Sequence, residues 1–249
     1  MKPARPGYVA KPMEDMVDVS LLRSTPAGLC IRPALQAFSE HYTPCAHLDL
    51  GNLCNLACPY CGLSRESDTY TPPRTALALV DRIASAGLGT LALVGGEPTI
   101  RKDLGALIER ARERGIDQVV LTTNGQLLSY PEVLAELVDH GLGAVHLSLD
   151  AADPEHLSQV LGAPQAGARA LAALDNLAAR PELYLFLYAV VTRANVSALG
   201  ALCDRLARAS EQRGAPLPLI LTAPKPTGRA WTNRAQLLLP PPEVAAAVA

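Results

Sequence analysis

Three cysteines fall within one short stretch, Cys54-Asn55-Leu56-Ala57-Cys58-Pro59-Tyr60-Cys61, spaced C-x₃-C-x₂-C. A structural zinc site takes four ligands, so three thiolates leave one incomplete unless a distant residue such as Cys45 or His47 closes it. The same thiolates can hold three corners of a [4Fe–4S] cluster and leave one iron open to a small molecule. Further on, Gly95-Gly96-Glu97-Pro98 joins two glycines, which let a backbone approach a ligand closely, to a carboxylate and a turn-fixing proline. Carbonyls with one acid suit an ammonium group. A fixed negative charge without a lysine suits a phosphate badly. Thr123-Asn124-Gly125, Ser148 with Asp150, Thr192 and Arg193 with Asn195, and the turn Pro226-Thr227-Gly228-Arg229-Ala230 complete the set. Each also has a plain reading when taken alone. Asn124-Gly125 is a turn, Asp150 a helix cap, Arg193 a solvated cation, and His47 and His146 are core or barrel-lining strand residues.

The elements that must position these residues follow from the hydrophobic period. Ala46 to Leu50 alternates and predicts a strand, with the cysteine loop directly after it. Thr75 to Ala86 predicts a helix stopped by Gly87. Thr90 to Val94 is a buried strand running into Gly95. Lys102 to Arg114 is a helix, and Gln118 to Thr123 a strand running into Asn124. Pro131 to His140 is a helix and Ala144 to Asp150 a strand. Pro154 to Gln159 and Ala168 to Ala179 are helical, and Leu183 to Thr192 is a strand. Val196 to Gln212 is a helix and Leu217 to Thr222 the last strand. Strand–helix alternation with short connections demands a parallel sheet with crossover helices. Six such units, rather than eight, predict an α/β fold: a partial (β/α)₆ TIM-like barrel of parallel strands with outer helices. In such folds ligands bind at the carboxyl ends of strands. Apart from the two strand histidines and Cys45, every polar group named above falls at one.

Composition sets the limits. The chain has 249 residues, 49% of them hydrophobic, so a sizeable core is available. A net charge of −2 with no basic run argues against a nucleic-acid surface. Six cysteines, three of them scattered, are not a secreted disulfide framework. With no apolar leader-like start and no run of about 18 apolar residues, the expected location is cytoplasmic, without a membrane partner. Residues 1–45 are broken by Pro3, Pro6, Pro12, Pro26, Pro33 and Pro44 and are expected to form an irregular or helical extension. Residues 46–231 are the expected core, and 232–249 a tail where a helix starts or an extension is truncated. Cys203 is expected to be buried on its helix, and Trp231 to serve packing.

The cysteine spacing, with Tyr60 in the aromatic slot, closely resembles the signature of the radical S-adenosylmethionine (SAM) superfamily, and Gly95-Gly96-Glu97-Pro98 matches its GGEP motif. The resemblance covers roughly residues 46–231. It implies that Cys54, Cys58 and Cys61 ligate a [4Fe–4S] cluster whose fourth iron is chelated by SAM. It implies that Gly95, Gly96, Glu97 and Pro98 receive the SAM amino group and that Tyr60 lies near the adenine. Thr123, Asn124, Ser148, Thr192 and Asn195 fall where the family contacts SAM's carboxylate and ribose. The implied chemistry is reductive cleavage of SAM, fed by a one-electron donor such as flavodoxin or ferredoxin. The resulting 5′-deoxyadenosyl radical abstracts hydrogen from a substrate. The Pro226–Ala230 turn resembles that of peptide- and cofactor-modifying members that continue into a cysteine-rich SPASM or twitch extension; here only Cys203 follows the signature. Leu161-Gly162 stands where members often have Arg-Gly, leaving Arg193 or Arg169 as candidate partners of the SAM carboxylate. The expected substrate is a peptide or protein side chain. The alternatives are small-molecule or cofactor biosynthesis and, outside enzymes, a non-catalytic iron–sulfur or zinc-binding protein. The GGEP loop speaks against the last, because an electron carrier has no need of an ammonium site.

Overall fold

The computed structural model describes residues 45–63, 68–240 and 242–243. The extension expected before the core lies outside the described residues, apart from Cys45, which opens the first strand. Among the described residues six strands alternate with helices: β1 (Cys45–Asp49), α1 (Pro73–Ser85), β2 (Thr90–Val94), α2 (Leu104–Glu113), β3 (Gln118–Thr123), α3 (Pro131–Asp139), β4 (Ala144–Ser148), α4 (Pro154–Leu161), α5 (Ala166–Ala178), β5 (Tyr184–Val190), α6 (Leu199–Arg213), β6 (Leu219–Thr222), α7 (Gly228–Thr232) and α8 (Arg234–Leu237). Short 3₁₀ turns at Pro98–Ile100 and Val196–Ala198 precede α2 and α6. The strands lie in sequence order and every neighbouring pair is parallel. β1 and β6 are the two edges, so the sheet is an open, partial (β/α)₆ barrel, as the alternation predicts.

Side chains alternate across a strand, and here the two faces differ in kind. Leu48, Leu91, Leu93, Leu121, Val145, Leu147 and Leu187 point outward and join Leu107, Ile108, Leu134, Leu174 and Leu202 of the helices in one core. The inner face is smaller and more polar. Ala92, Val120 and Ala144 lie side by side in register with Val94 packed on them. Beside them the His146 ring stands 5.3 Å from both Phe186 and Tyr188.

The element ends show which local signals dominate. Proline opens α1 and α3 at the first helical turn, where its missing N–H costs no hydrogen bond; α1 therefore starts at Pro73, ahead of the expected Thr75. Asp153 caps α4 by accepting from His156 N at 2.7 Å, and Gly162 ends that helix at φ 69°. β6 is shorter than expected because Pro218 has no N–H for the ladder and only its carbonyl pairs, with Leu187 N at 2.8 Å. β5 stops at Val190, and Thr192 belongs to the loop beyond it. No helix of the described residues is long and apolar enough to cross a membrane.

Candidate active site at the strand ends

The cysteine loop leaves β1 and is stitched at once to the GGEP turn after β2. Gly96 N donates to Gly51 O at 2.7 Å, and Glu97 N donates to Leu53 O at 2.8 Å. The two segments are so close that a Cβ on Gly96 would lie 2.1 Å from Leu53 O. One on Gly95, at φ 141°, would lie 2.5 Å from Gly51 O. The glycines are thus required by the chain's own packing, where ligand approach was the expected reason.

Glu97 also departs from expectation. Its side chain is turned inward and is 2% exposed. Oε1 accepts from Thr99 N (3.1 Å), Thr99 Oγ1 (2.5 Å) and Thr123 Oγ1 (2.7 Å), while Oε2 accepts from Asn124 N (2.7 Å). Burial pushes its carboxyl up, and these donors oppose the shift. A buried carboxylate with four donors is a post between the ends of β2 and β3, not an acceptor facing the open rim. Thr123 is committed with it: its hydroxyl also accepts from Gly125 N at 3.1 Å. Pro98 is buried as it opens the 3₁₀ turn.

Thr192 and Asn195 were expected near SAM, but both are 0% exposed. Asn195 Oδ1 accepts from Thr192 N (2.8 Å) and Thr192 Oγ1 (3.2 Å), and its Nδ2 donates to Asp150 O and Val190 O, each at 3.0 Å. With both amide hydrogens and the oxygen occupied, the side chain closes the end of β5 onto β4.

Asn124, Ser148 and Tyr60 stay at the rim. Asn124 Nδ2 donates to Asn55 Oδ1 at 2.8 Å and lies 3.7 Å from Cys54 Sγ. Ser148 is half-buried at the end of β4. The Tyr60 hydroxyl donates to Asp150 Oδ2, and Asp150 Oδ1 accepts from Val190 N at 2.7 Å. Burial pushes the Asp150 carboxyl up to about 6, with the Tyr60 hydroxyl and the Val190 N–H opposing. Asp150 is therefore no helix cap; Asp153 takes that role. It joins the cysteine loop to β4 and β5, a role that the sequence hides. The one available signal was that Asp153-Pro154 is the better cap, which left Asp150 without one to make.

Cys54, Cys58 and Cys61 are half-buried, and none forms a disulfide. Leu56 N donates to Cys54 Sγ at 3.4 Å. Burial pushes the Cys58 thiol up to about 12, opposed by the Tyr60 hydroxyl; a bound metal deprotonates a coordinating thiol outright. By their chemistry, three thiols in one loop, one of them accepting a backbone N–H, are the donor set for three thiolate corners of an iron–sulfur cluster, although among the described residues their side chains do not converge into a preformed metal site. Cys45 is a poor fourth zinc ligand. It opens β1, while the loop leaves the strand's other end, about 13 Å further on at the rise of a strand.

The other expectations resolve simply. Arg193 Nη1 pairs with Glu243 Oε2 at 3.3 Å, and Arg169 is exposed on α5. Cys203 is exposed on the outer side of α6, contrary to expectation, because Leu202 and Leu206 take the buried face. Trp231 is 52% exposed, with the Arg234 guanidinium 4.3 Å over its ring. The inner wall below the rim carries His146, whose pKa is pushed down to about 4 by burial and by His47. His146 is therefore neutral at pH 7.

Parallel strands, a three-cysteine loop after β1 and a glycine turn sutured to it define an iron–sulfur protein of the half-open barrel class. The model of the "Radical SAM superfamily" matches residues 48–190, and the chain belongs to that superfamily. It is a family of enzymes whose cofactors are a [4Fe–4S] cluster and SAM. Among curated relatives, the probable GTP 3′,8-cyclase of Sulfolobus acidocaldarius is 38% identical over 117 residues, 46% of this chain and 37% of the relative. The GTP 3′,8-cyclase of Rhizobium leguminosarum is 37% identical over 116 residues, 43% of this chain and 32% of the relative. The matched stretch thus spans about a third of these relatives. Among solved structures, Streptococcus suis SuiB bound to S-adenosylmethionine shares the fold, with a TM-score of 0.60 at 16% identity over 86% of this chain and 52% of that one.

Proposed function

We propose that this chain is a radical SAM enzyme of small-molecule or cofactor biosynthesis that acts on a nucleotide-like substrate. The relatives named for GTP cyclisation support this reading over the peptide or protein side chain that the sequence favoured. The observation that carries it is the suture of the GGEP turn to the cysteine loop through Gly96 N and Glu97 N. It supports reading Gly95–Pro98 as an ammonium-binding turn beside an iron–sulfur loop.

Cys54, Cys58 and Cys61 hold three irons in this reading. The Glu97 carboxylate is consumed inside the protein, so the ammonium falls to the backbone carbonyls of the Gly95–Glu97 turn. Asn124 lies beside Cys54 and Ser148 ends β4. When bound, the cluster and SAM supply one-electron cleavage of a carbon–sulfur bond and hydrogen-atom abstraction from substrate. The protein's part is to orient the reactants and exclude water. The inner wall of His146, Phe186 and Tyr188 offers neutral ring faces to a planar substrate group. A one-electron donor such as flavodoxin or ferredoxin completes the cycle.

The test is anaerobic reconstitution with iron and sulfide, followed by SAM and a strong reductant. Expected are 5′-deoxyadenosine formation, its stimulation by purine nucleotides, and loss of iron in Cys54→Ala, Cys58→Ala and Cys61→Ala. Unchanged iron in those variants would sink the cluster assignment. Stimulation by peptides and not by nucleotides would restore the peptide reading.

A further inference from the structure

The chain after β6 turns back onto the cysteine loop. Thr227 Oγ1 donates to Gly62 O at 2.8 Å, and Arg229 Nε donates to Cys58 O at 2.8 Å. Ala230 N donates to Cys61 O at 3.1 Å, and Asn233 Nδ2 donates to Pro59 O at 3.0 Å. Four donors from one short stretch thus meet the carbonyls of Cys58, Pro59, Cys61 and Gly62, more than 160 positions earlier in the chain. The two backbones touch where neither has a side chain. A Cβ on Gly228, at φ 54°, would lie 2.6 Å from Leu63 O, and one on Gly62 would lie 3.1 Å from Thr227 Oγ1.

We propose that α7 and its flanks form a clasp that sets the shape of the cysteine loop, with Arg229 as a positioning residue that also tunes the cluster. This rests on the assignment of the cluster to Cys54, Cys58 and Cys61. Two of those cysteines have their carbonyls held by the clasp. A loop of this kind carries few hydrogen bonds of its own, so the direction of its thiols depends on what fixes its backbone. Arg229 adds a second effect. Its guanidinium is permanently charged and is half-buried against the carbonyl of a ligand residue. A positive charge at that distance favours the more negative, reduced cluster, since cluster potential follows local charge, hydrogen bonding and exposure.

The experiment uses the full chain, reconstituted anaerobically without SAM or substrate, so that catalysis plays no part. In Arg229→Gln the iron content is expected to stay near that of the parent. The ratio of reduced to oxidised cluster at a fixed solution potential is expected to fall about three- to tenfold, with a changed electron paramagnetic resonance signal. Tenfold corresponds to 59 mV for a one-electron couple. Arg229→Lys, which keeps the charge, should recover most of the difference. Gly228→Ala should lower the apoprotein's unfolding midpoint, because its Cβ meets Leu63 O, and should also lose iron to a chelator several-fold faster than the parent. If Gly228→Ala does not fold, Thr227→Val and Asn233→Ala, each removing one hydrogen bond, give the same reading. A parent-like potential in Arg229→Gln together with parent-like iron retention in the clasp variants overturns the proposal. Iron unaffected by Cys→Ala substitutions instead overturns the cluster assignment beneath it.

Discussion

Two buried carboxylates do similar work beneath the rim. Glu97 and Asp150 are both buried and both accept hydrogen bonds from neighbouring strand ends. Removing the charge of Glu97 without changing its shape isolates that work. In Glu97→Gln an amide N–H₂ meets either the Asn124 N–H or the Thr99 and Thr123 donors, so buried donors face each other. Leaving buried donors unsatisfied costs about 1–3 kcal/mol. Denaturant unfolding of apoprotein is expected to show a loss of about 2 kcal/mol. A ligand-facing glutamate would show no such loss. The residue types of this site were legible in the sequence, but the direction each side chain takes was not. Glu97, Thr192 and Asn195 read as cofactor contacts because strand-end polar residues usually face the opening. Here they are consumed in satisfying each other and the backbone.

At the level of elements, the site depends on close approach between loops that come from distant parts of the chain. Gly96 and Gly115 make a controlled comparison. A Cβ at Gly96 meets Leu53 O at 2.1 Å, whereas Gly115, at φ 84°, has open space around it. Gly115→Ala therefore pays only for its left-handed backbone, about 1–2 kcal/mol. Gly96→Ala must push the cysteine loop away, and a larger loss of stability, about 3 kcal/mol or more, is expected together with reduced iron uptake on reconstitution. Equal stability losses and equal iron content in the two variants would show that the suture plays no part in the cluster site. The strand–helix order was legible because hydrophobic period is a local property. Element ends were less so: the break at Val196–Ala198 ahead of α6 is set by the Thr192–Asn195 knot, which no local pattern reveals.

Across the whole molecule, the sheet separates an aliphatic outer core from an inner wall with titratable rings. His146 has its pKa depressed to about 4, against 6.5 for an ordinary histidine, by burial first and His47 second. The unfolded chain therefore binds the proton at a higher pH than the folded one, and stability rises with pH across that interval. It is fully present above pH 6.5 and is lost as pH falls toward 4. Allowing for solvent screening, the contribution is on the order of 2 kcal/mol. His146→Gln is expected to flatten the apoprotein's stability profile between pH 4 and 6.5, as read by urea titrations at several pH values. An unchanged slope would place the acid sensitivity elsewhere.

The sequence by itself determined the class of fold, the three thiols and the glycine turn that goes with them. Spacing along the chain and strand–helix alternation are local quantities that need no partner to be read. Only the tertiary structure decided what each polar group faces. The Glu97 post, the Tyr60–Asp150 link and the clasp of Arg229 on Cys58 all join residues 26 to 171 positions apart. Such contacts arise when the parallel sheet brings separate strand ends to one rim, and there the need to satisfy buried hydrogen-bonding groups overrides the role that residue type alone suggests.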